Sequence, residues 1–211
     1  MLTYHKATFD DPAHYLDKET KRKWRRIAGG IGWPQEGLSG AALVLAQDLA
    51  DLPNYEVLAF TQDHNAGTLL DGCKALELEF PVKYWYGDIS NRTMMILLHE
   101  FNKGKFPENK FKFQMAPLAD EIKNNSGFYL PKVIDLGIDG RLNAVAAPVL
   151  LEELKNDETW PDTHLNLNIA KFPVLAALCY PLAHFLMYSG EVVKPLKRDY
   201  LKQYGANAWL L

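Results

Sequence analysis

"GAALVLAQDLADLPNYEVLAFTQ", residues 40–62, decides how the chain is read. Residues 41–49 form a near-continuous apolar run of strand length, and "YEVLAFTQ" (55–62) reads as a second strand. The link between them holds Pro53 and Asn54, residues that favour turns. Two strands joined by so short a link predict an antiparallel hairpin.

Outward from the hairpin, "DHNAGTLLDGCKALELEF" (63–80) places Leu69, Leu70, Cys73, Leu76 and Phe80 at helical spacing. Asn65 is its expected N-cap, and Pro81 ends it. "VKYWYG" (82–87) is the next strand, with Tyr84, Trp85 and Tyr86 expected to pack on both of its faces. "NRTMMILLHEFNKG" (91–104) is a second helix closed by Gly104. On the other side, "AGGIGWPQEGLSG" (28–40) reads as a Gly/Pro connector, and residues 1–27 as a helical lead-in with a basic end. Later, 110–118 is a strand or an extended loop, 127–140 a loop and strand ending on Asp139-Gly140, and 143–157 and 172–188 are helices. Strands, helix, strand, helix is an α/β order with a mixed sheet. The expected division is a lead-in at 1–27, an α/β domain at 28–190 and a C-terminal tail at 191–211.

Of the 211 residues 48% are hydrophobic and 23% charged, which is the balance of a globular domain. Cys73 and Cys179 fit no C-x-x-C and lie in apolar helices, so two buried thiols in a reducing compartment are expected. No basic segment followed by an apolar one opens the chain, so secretion is not expected. The apolar stretch 172–188 carries two prolines and a histidine, which predicts a core helix and no membrane span. The net charge of −3 supplies no global attraction for polyanions, but six basic residues against one acid occupy 18–26, and four against one occupy 194–202. A solvated face explains these clusters; phosphate contact is the functional alternative, with Trp24 placed to stack on a base.

Two carboxylates stand at corresponding places, Asp48 after the first hairpin strand and Asp88 after the strand behind the first helix. A strand-end turn explains Asp48 and a helix cap explains Asp88. Taken together they suggest a pair that converges on one divalent ion, since neighbouring carboxylates repel unless a cation neutralises them. Two such ions can clamp the attacking and leaving oxygens of a phosphodiester.

The order of elements, carried by "AGGIGWP", "GAALVLAQDLADLPNYEVLAF" and "KYWYGDISN" (83–91), resembles the ribonuclease H-like nuclease superfamily, and within it the nuclease domain of phage terminase large subunits. The resemblance implies a ribonuclease H-like mixed β-sheet flanked by helices, and a Mg²⁺- or Mn²⁺-dependent endonuclease that cuts DNA during genome packaging. It implies a phage- or prophage-encoded protein in the bacterial cytoplasm. Asp48 and Asp88 would match the metal ligands. Relatives place a third acid on a late helix, where this chain offers His184, with Glu152, Glu153, Asp157 and Asp162 nearby. Asp48, Asp88 and His184 are therefore the candidate catalytic residues, and Asp48 and Asp88 the candidate metal ligands. The missing acid makes a catalytically degenerate relative, a non-catalytic nucleic-acid-binding or assembly module, the alternative. No G-x-x-x-x-G-K-[ST] loop occurs, so the packaging ATPase is expected to be a separate subunit.

Other constellations are weaker. "VIDLGIDG" (133–140) is similar to the phosphate-gripping turn of actin-like ATPases, but too little chain follows it. Asp63 and His64 are adjacent, so on a strand they would point to opposite faces, and capping explains them. The remaining histidines share no zinc spacing.

Overall fold

A computed structural model describes residues 2–9, 11–88, 92–103, 111–115, 136, 139–155 and 172–189. Among them the chain runs β1 (Leu2–His5), β2 (His14–Asp17), β3 (Lys23–Gly32), β4 (Gly40–Asp48), β5 (Tyr55–Asp63), α1 (Ala66–Glu79), β6 (Trp85–Gly87), α2 (Arg92–Asn102), β7 (Phe113–Met115), β8 (Leu142–Asn143), α3 (Pro148–Lys155) and α4 (Pro173–Ser189). All the strands belong to one mixed sheet of order β1-β2-β3-β4-β5-β8, with β6 on the free half of the β3 edge and β7 beyond it. Strands β1 to β5 pair antiparallel. Strands β6, β7 and β8 pair parallel with their neighbours.

Strand β4 shows why its sequence is apolar throughout. Ala41, Leu43 and Leu45 face α3 and α4, while Ala42, Val44 and Ala46 face α1 and α2. All six are fully buried. A strand covered on both faces has no polar side to alternate with. The aromatic strand behaves as expected, Trp85 packing toward α1 and α2 and Tyr86 toward α4. Helix α1 also forms as its spacing predicts, with Asn65 Oδ1 accepting from the backbone N–H of Gly67 and Thr68 at 2.8 and 3.2 Å.

Two expectations need correction. Residues 1–27 are not a helical lead-in: they contain β1, β2 and the first half of β3, joined to the same sheet. The basic cluster misleads because in β3 its members share a strand with apolar partners, Lys23 and Arg25 being exposed while Trp24 and Ile27 are buried. Nor is "AGGIG" a connector. It is the inner half of β3, the most connected strand of the sheet.

The glycines of β3 are required by close approach. A Cβ on Gly29 would overlap the Trp85 indole, and one on Gly32 would overlap the backbone of Pro173. At Gly30 a Cβ would overlap the carbonyl oxygen of Ala177 and lie 2.6 Å from Pro181 Cδ. Pro181 sits inside α4 and has no N–H to give to Ala177, four residues earlier. The carbonyl it leaves unbonded in the helix is the one that lies on Gly30, where only a hydrogen-bearing Cα fits beneath it. The strand backbone and the helix backbone therefore touch with no side chain between them.

Helix α4 is buried along 172–186 apart from half-buried His184, and no described helix is long and apolar enough to cross a membrane. Cys73 and Cys179 are free, buried thiols on opposite faces of the sheet.

The packing predicts that Gly30→Ala loses about 3 kcal/mol or more, since nothing flexible can yield. Thermal melting should show a midpoint lower by roughly 6–12 °C for a chain of this size; an unchanged midpoint would contradict the contact.

Candidate functional site

Asp48 closes the β4–β5 turn with its own carboxylate. Its Oδ1 accepts from the N–H of Ala50 and of Asn54 at 3.1 and 2.9 Å, and its Oδ2 from Asn54 Nδ2 at 2.6 Å. The backbone adds Asp48 N–H to Asn54 O at 3.0 Å. An Asp that ends a strand and gathers the following N–H groups is a turn-forming residue, and the local sequence Asp-Leu-Ala-Asp-Leu-Pro-Asn supplies those donors.

Asp88 lies at the other end of the sheet. Asp48 pairs with Trp24 near the start of β3, whereas Gly30 pairs with Tyr86, and two further residues bring Asp88 beside Gly32 at the end of β3. The eight residue steps from Trp24 to Gly32 span roughly 26 Å at ~3.3 Å per residue. One cation cannot bridge that gap, so the expected Asp48–Asp88 pair does not form. The physical reason is the misplaced start of the sheet: the strand that Asp48 ends is the fourth of a five-stranded antiparallel run, and it points the opposite way from β3 and β6. The Trp33 indole Nε1 donates to the backbone oxygen of Asp88 at 2.7 Å and holds this corner.

His184 joins neither acid. It lies eleven residues, about 16 Å of helix, beyond Pro173, the residue packed on Gly32. Its Nε2 is 3.0 Å from Tyr86 Oη, and the two rings stack with centroids 4.3 Å apart. Burial, and after it the charge of Arg26, lowers its pKa to about 4, so the ring is neutral at neutral pH. Arg26 itself donates through Nη1 to Phe185 O at 3.2 Å. His184 is thus a hydrogen-bonded core residue tying α4 to β6.

The acid that does meet α4 is Glu153 on α3. Its Oε1 and Oε2 accept from the N–H of Val174 and Leu175 at 3.2 and 2.8 Å. These are among the first-turn donors that a helix cannot satisfy itself, and the helix dipole also favours a carboxylate there. Burial nevertheless outweighs both hydrogen bonds and raises its pKa from the usual 4.5 to about 7. Sequence reasoning named Glu153 without finding this role, because a cap donated from another helix leaves no local pattern. Glu152 beside it is exposed, and Asp157 and Asp162 lie outside the described residues, as do most of "VIDLGIDG" and the tail 191–211. Asp63 and His64 form the turn before α1: Asp63 Oδ1 accepts from Asn65 N–H at 2.6 Å, and His64 Nε2 is 3.1 Å from Ser39 Oγ.

A Mg²⁺ or Mn²⁺ held as the resemblance implies needs a carboxylate on the strand beside Asp88. That strand is β3, "KWRRIAGGIG", and it carries none. The α4-side positions of β3 nearest Asp88 are Gly30 and Gly32, where the helix backbone leaves no room for any side chain. The described residues do not fit the ion pair. Among the described residues no group of three or more His, Cys, Asp or Glu is placed to hold a metal. In comparisons with known proteins no family model, curated protein or solved structure matches the chain significantly.

Two outcomes follow from this geometry. Asp48→Ala should cost about 1–2 kcal/mol through its lost turn hydrogen bonds, read by urea unfolding. For Glu153 the folded pKa exceeds the unfolded one, so its favourable contribution is complete below pH 4.5 and fades as pH rises through about 7. His184 has the opposite sign, contributing above pH 6.5 and losing that contribution as pH falls toward 4. Between pH 6.5 and 8 only Glu153 of these two still titrates, so Glu153→Gln should flatten the decline in unfolding free energy that the parent shows there; parallel curves would refute the assignment.

Proposed function

We propose that the chain is a ribonuclease H-like module of the terminase-nuclease type that holds nucleic acid without cutting it. The supporting layout is the element order behind the resemblance: antiparallel strands β3 to β5, helix α1, strand β6 running into Asp88, then helix α2. One observation carries the non-catalytic half of the reading. The place opposite Asp88 is a pair of glycines pressed on α4, so the position of the first-strand ligand is filled by a structural contact.

The cost of regaining the ligand explains why the two roles exclude each other. A carboxylate at Gly30 or Gly32 would have to displace the helix backbone, and overpacking of this kind commonly costs ~1–3 kcal/mol or more. With Asp88 the one carboxylate at the corner among the described residues, two metal ions lack the ligands to be neutralised and positioned together. Binding to nucleic acid asks for less: cationic side chains at phosphate spacing on a rigid edge. The exposed basic residues at the start of β3 meet that need. In a packaging assembly such a module would act beside a separate ATPase subunit.

Supercoiled plasmid incubated in Mn²⁺ with the parent and with Asp88→Ala tests the proposal. Neither protein should nick it, and the parent should retard linear DNA at low salt, with affinity falling as salt rises. Nicking by the parent that Asp88→Ala abolishes would establish the Mg²⁺- or Mn²⁺-dependent endonuclease instead.

A further inference from the structure

We infer that a site at the opposite end of the sheet from Asp88 binds a phosphate monoester carried on a sugar, the 5′ end of a nucleotide. A cavity of about 450 Å³ opens where β3, β5 and β8 begin and β4 ends. That volume suits one nucleotide, at the lower end of the range of small-ligand pockets.

Three cationic side chains line it, Arg22, Lys23 and Arg141, against the carboxylates of Asp48 and Glu56. Both carboxylates are engaged, Glu56 by one of the three cations, so the lining keeps one net positive charge. Asp48 receives the three hydrogen bonds of its turn, and Glu56 pairs with Arg22. Lys23 is held only by Asp11, outside the cavity, in a pair that is 44% and 39% exposed. A surface pair of that kind is worth little, so Lys23 can turn to an anion at small cost.

The β4–β5 turn organises the rest. Arg141 is buried and donates through Nε and Nη2 to Pro53 O at 3.0 and 2.6 Å. Arg25 donates through Nη2 to Leu49 O, in the same turn, at 3.3 Å. Two guanidinium groups therefore rest on carbonyls of one short turn, and of these Arg141 lines the cavity. Arg22 is oriented in its turn by the Trp24 ring, with its guanidinium carbon 5.2 Å from the ring centroid. Planar donors fixed on a rigid frame suit the tetrahedral oxygens of phosphate, and the amide of Asn143 on the wall suits a sugar hydroxyl. Trp24 is 4% exposed, so the site reads phosphate and sugar and leaves the base outside.

The inference rests on the nucleic-acid reading for the source of the phosphate, and stands apart from it in chemistry. A strand end and a free nucleotide present the same group. Calorimetric titration of the full chain with inorganic phosphate, thymidine, thymidine 5′-monophosphate, and a short oligonucleotide with and without a 5′ phosphate separates them. The monophosphate should bind saturably and thymidine should not. The double variant Arg22→Gln, Lys23→Gln should weaken that binding at least tenfold while melting as the parent does, since both side chains are largely exposed. An oligonucleotide bound better with its 5′ phosphate than without it supports the site with a strand end as its source; discrimination confined to the monophosphate supports it with a free nucleotide as its source. Thymidine binding as tightly as the monophosphate, no saturable binding of any phosphate ligand, or an unaffected double variant would each overturn the site. If DNA retention survives in the double variant while no phosphate monoester binds the parent, the holding function stands and this site falls.

Discussion

The backbone of α4 lies directly on the backbone of β3, and most of the molecule is arranged around that contact. Gly30 accepts the carbonyl of Ala177 that Pro181 cannot bond, and Gly32 accepts Pro173. With no side chains between them, the helix settles deep enough for Leu175, Leu178 and Leu182 to be fully buried against the sheet and α3. Each such burial is worth about 1.5–3 kcal/mol. A proline that would normally weaken a helix is thereby matched to a strand position where its consequence is an asset.

The same contact governs the electrostatics of this face. Sinking α4 onto the sheet buries whatever titratable groups accompany it. Glu153 is drawn in to satisfy the helix N-terminus, and its pKa rises because the surroundings are too dry for a comfortable anion. His184 is drawn in near the other end and its pKa falls for the same reason with the opposite charge sign. Both shifts are what a buried hydrogen-bonded group shows when packing decides its location, which is why perturbed titration alone is a poor guide to chemistry here.

The two ends of the sheet have diverged in what they can offer a ligand. At the Asp88 end, helix and strand are in van der Waals contact, and Gly30 and Gly32 of β3 have no space for a carboxylate side chain. At the Asp48 end the β4–β5 turn offers the Pro53 carbonyl to Arg141, on the wall of an open cavity. A basic segment that reads in one dimension as an undifferentiated charge run becomes, on a strand, an alternation of buried Trp24 and Ile27 with Lys23 and Arg25 in solvent.

Where local chemistry dominates, the sequence by itself determined the outcome: the β4–β5 hairpin, the Asn65-capped helix α1, the aromatic strand β6, and the core character of 173–186 all follow from periodicity, caps and turn residues acting over a few positions. The turn role of Asp48 was legible too, as the plainer of its two readings. Only the tertiary structure decided that "AGGIG" is a central strand, because glycine signals a turn locally and a close approach only when the approaching helix, some 140 residues later, is in place. It alone decided that Asp48 and Asp88 are separated by the length of β3, since a strand's direction in a sheet is set by its partners, and β3 lies between β4 and β6, antiparallel to one and parallel to the other.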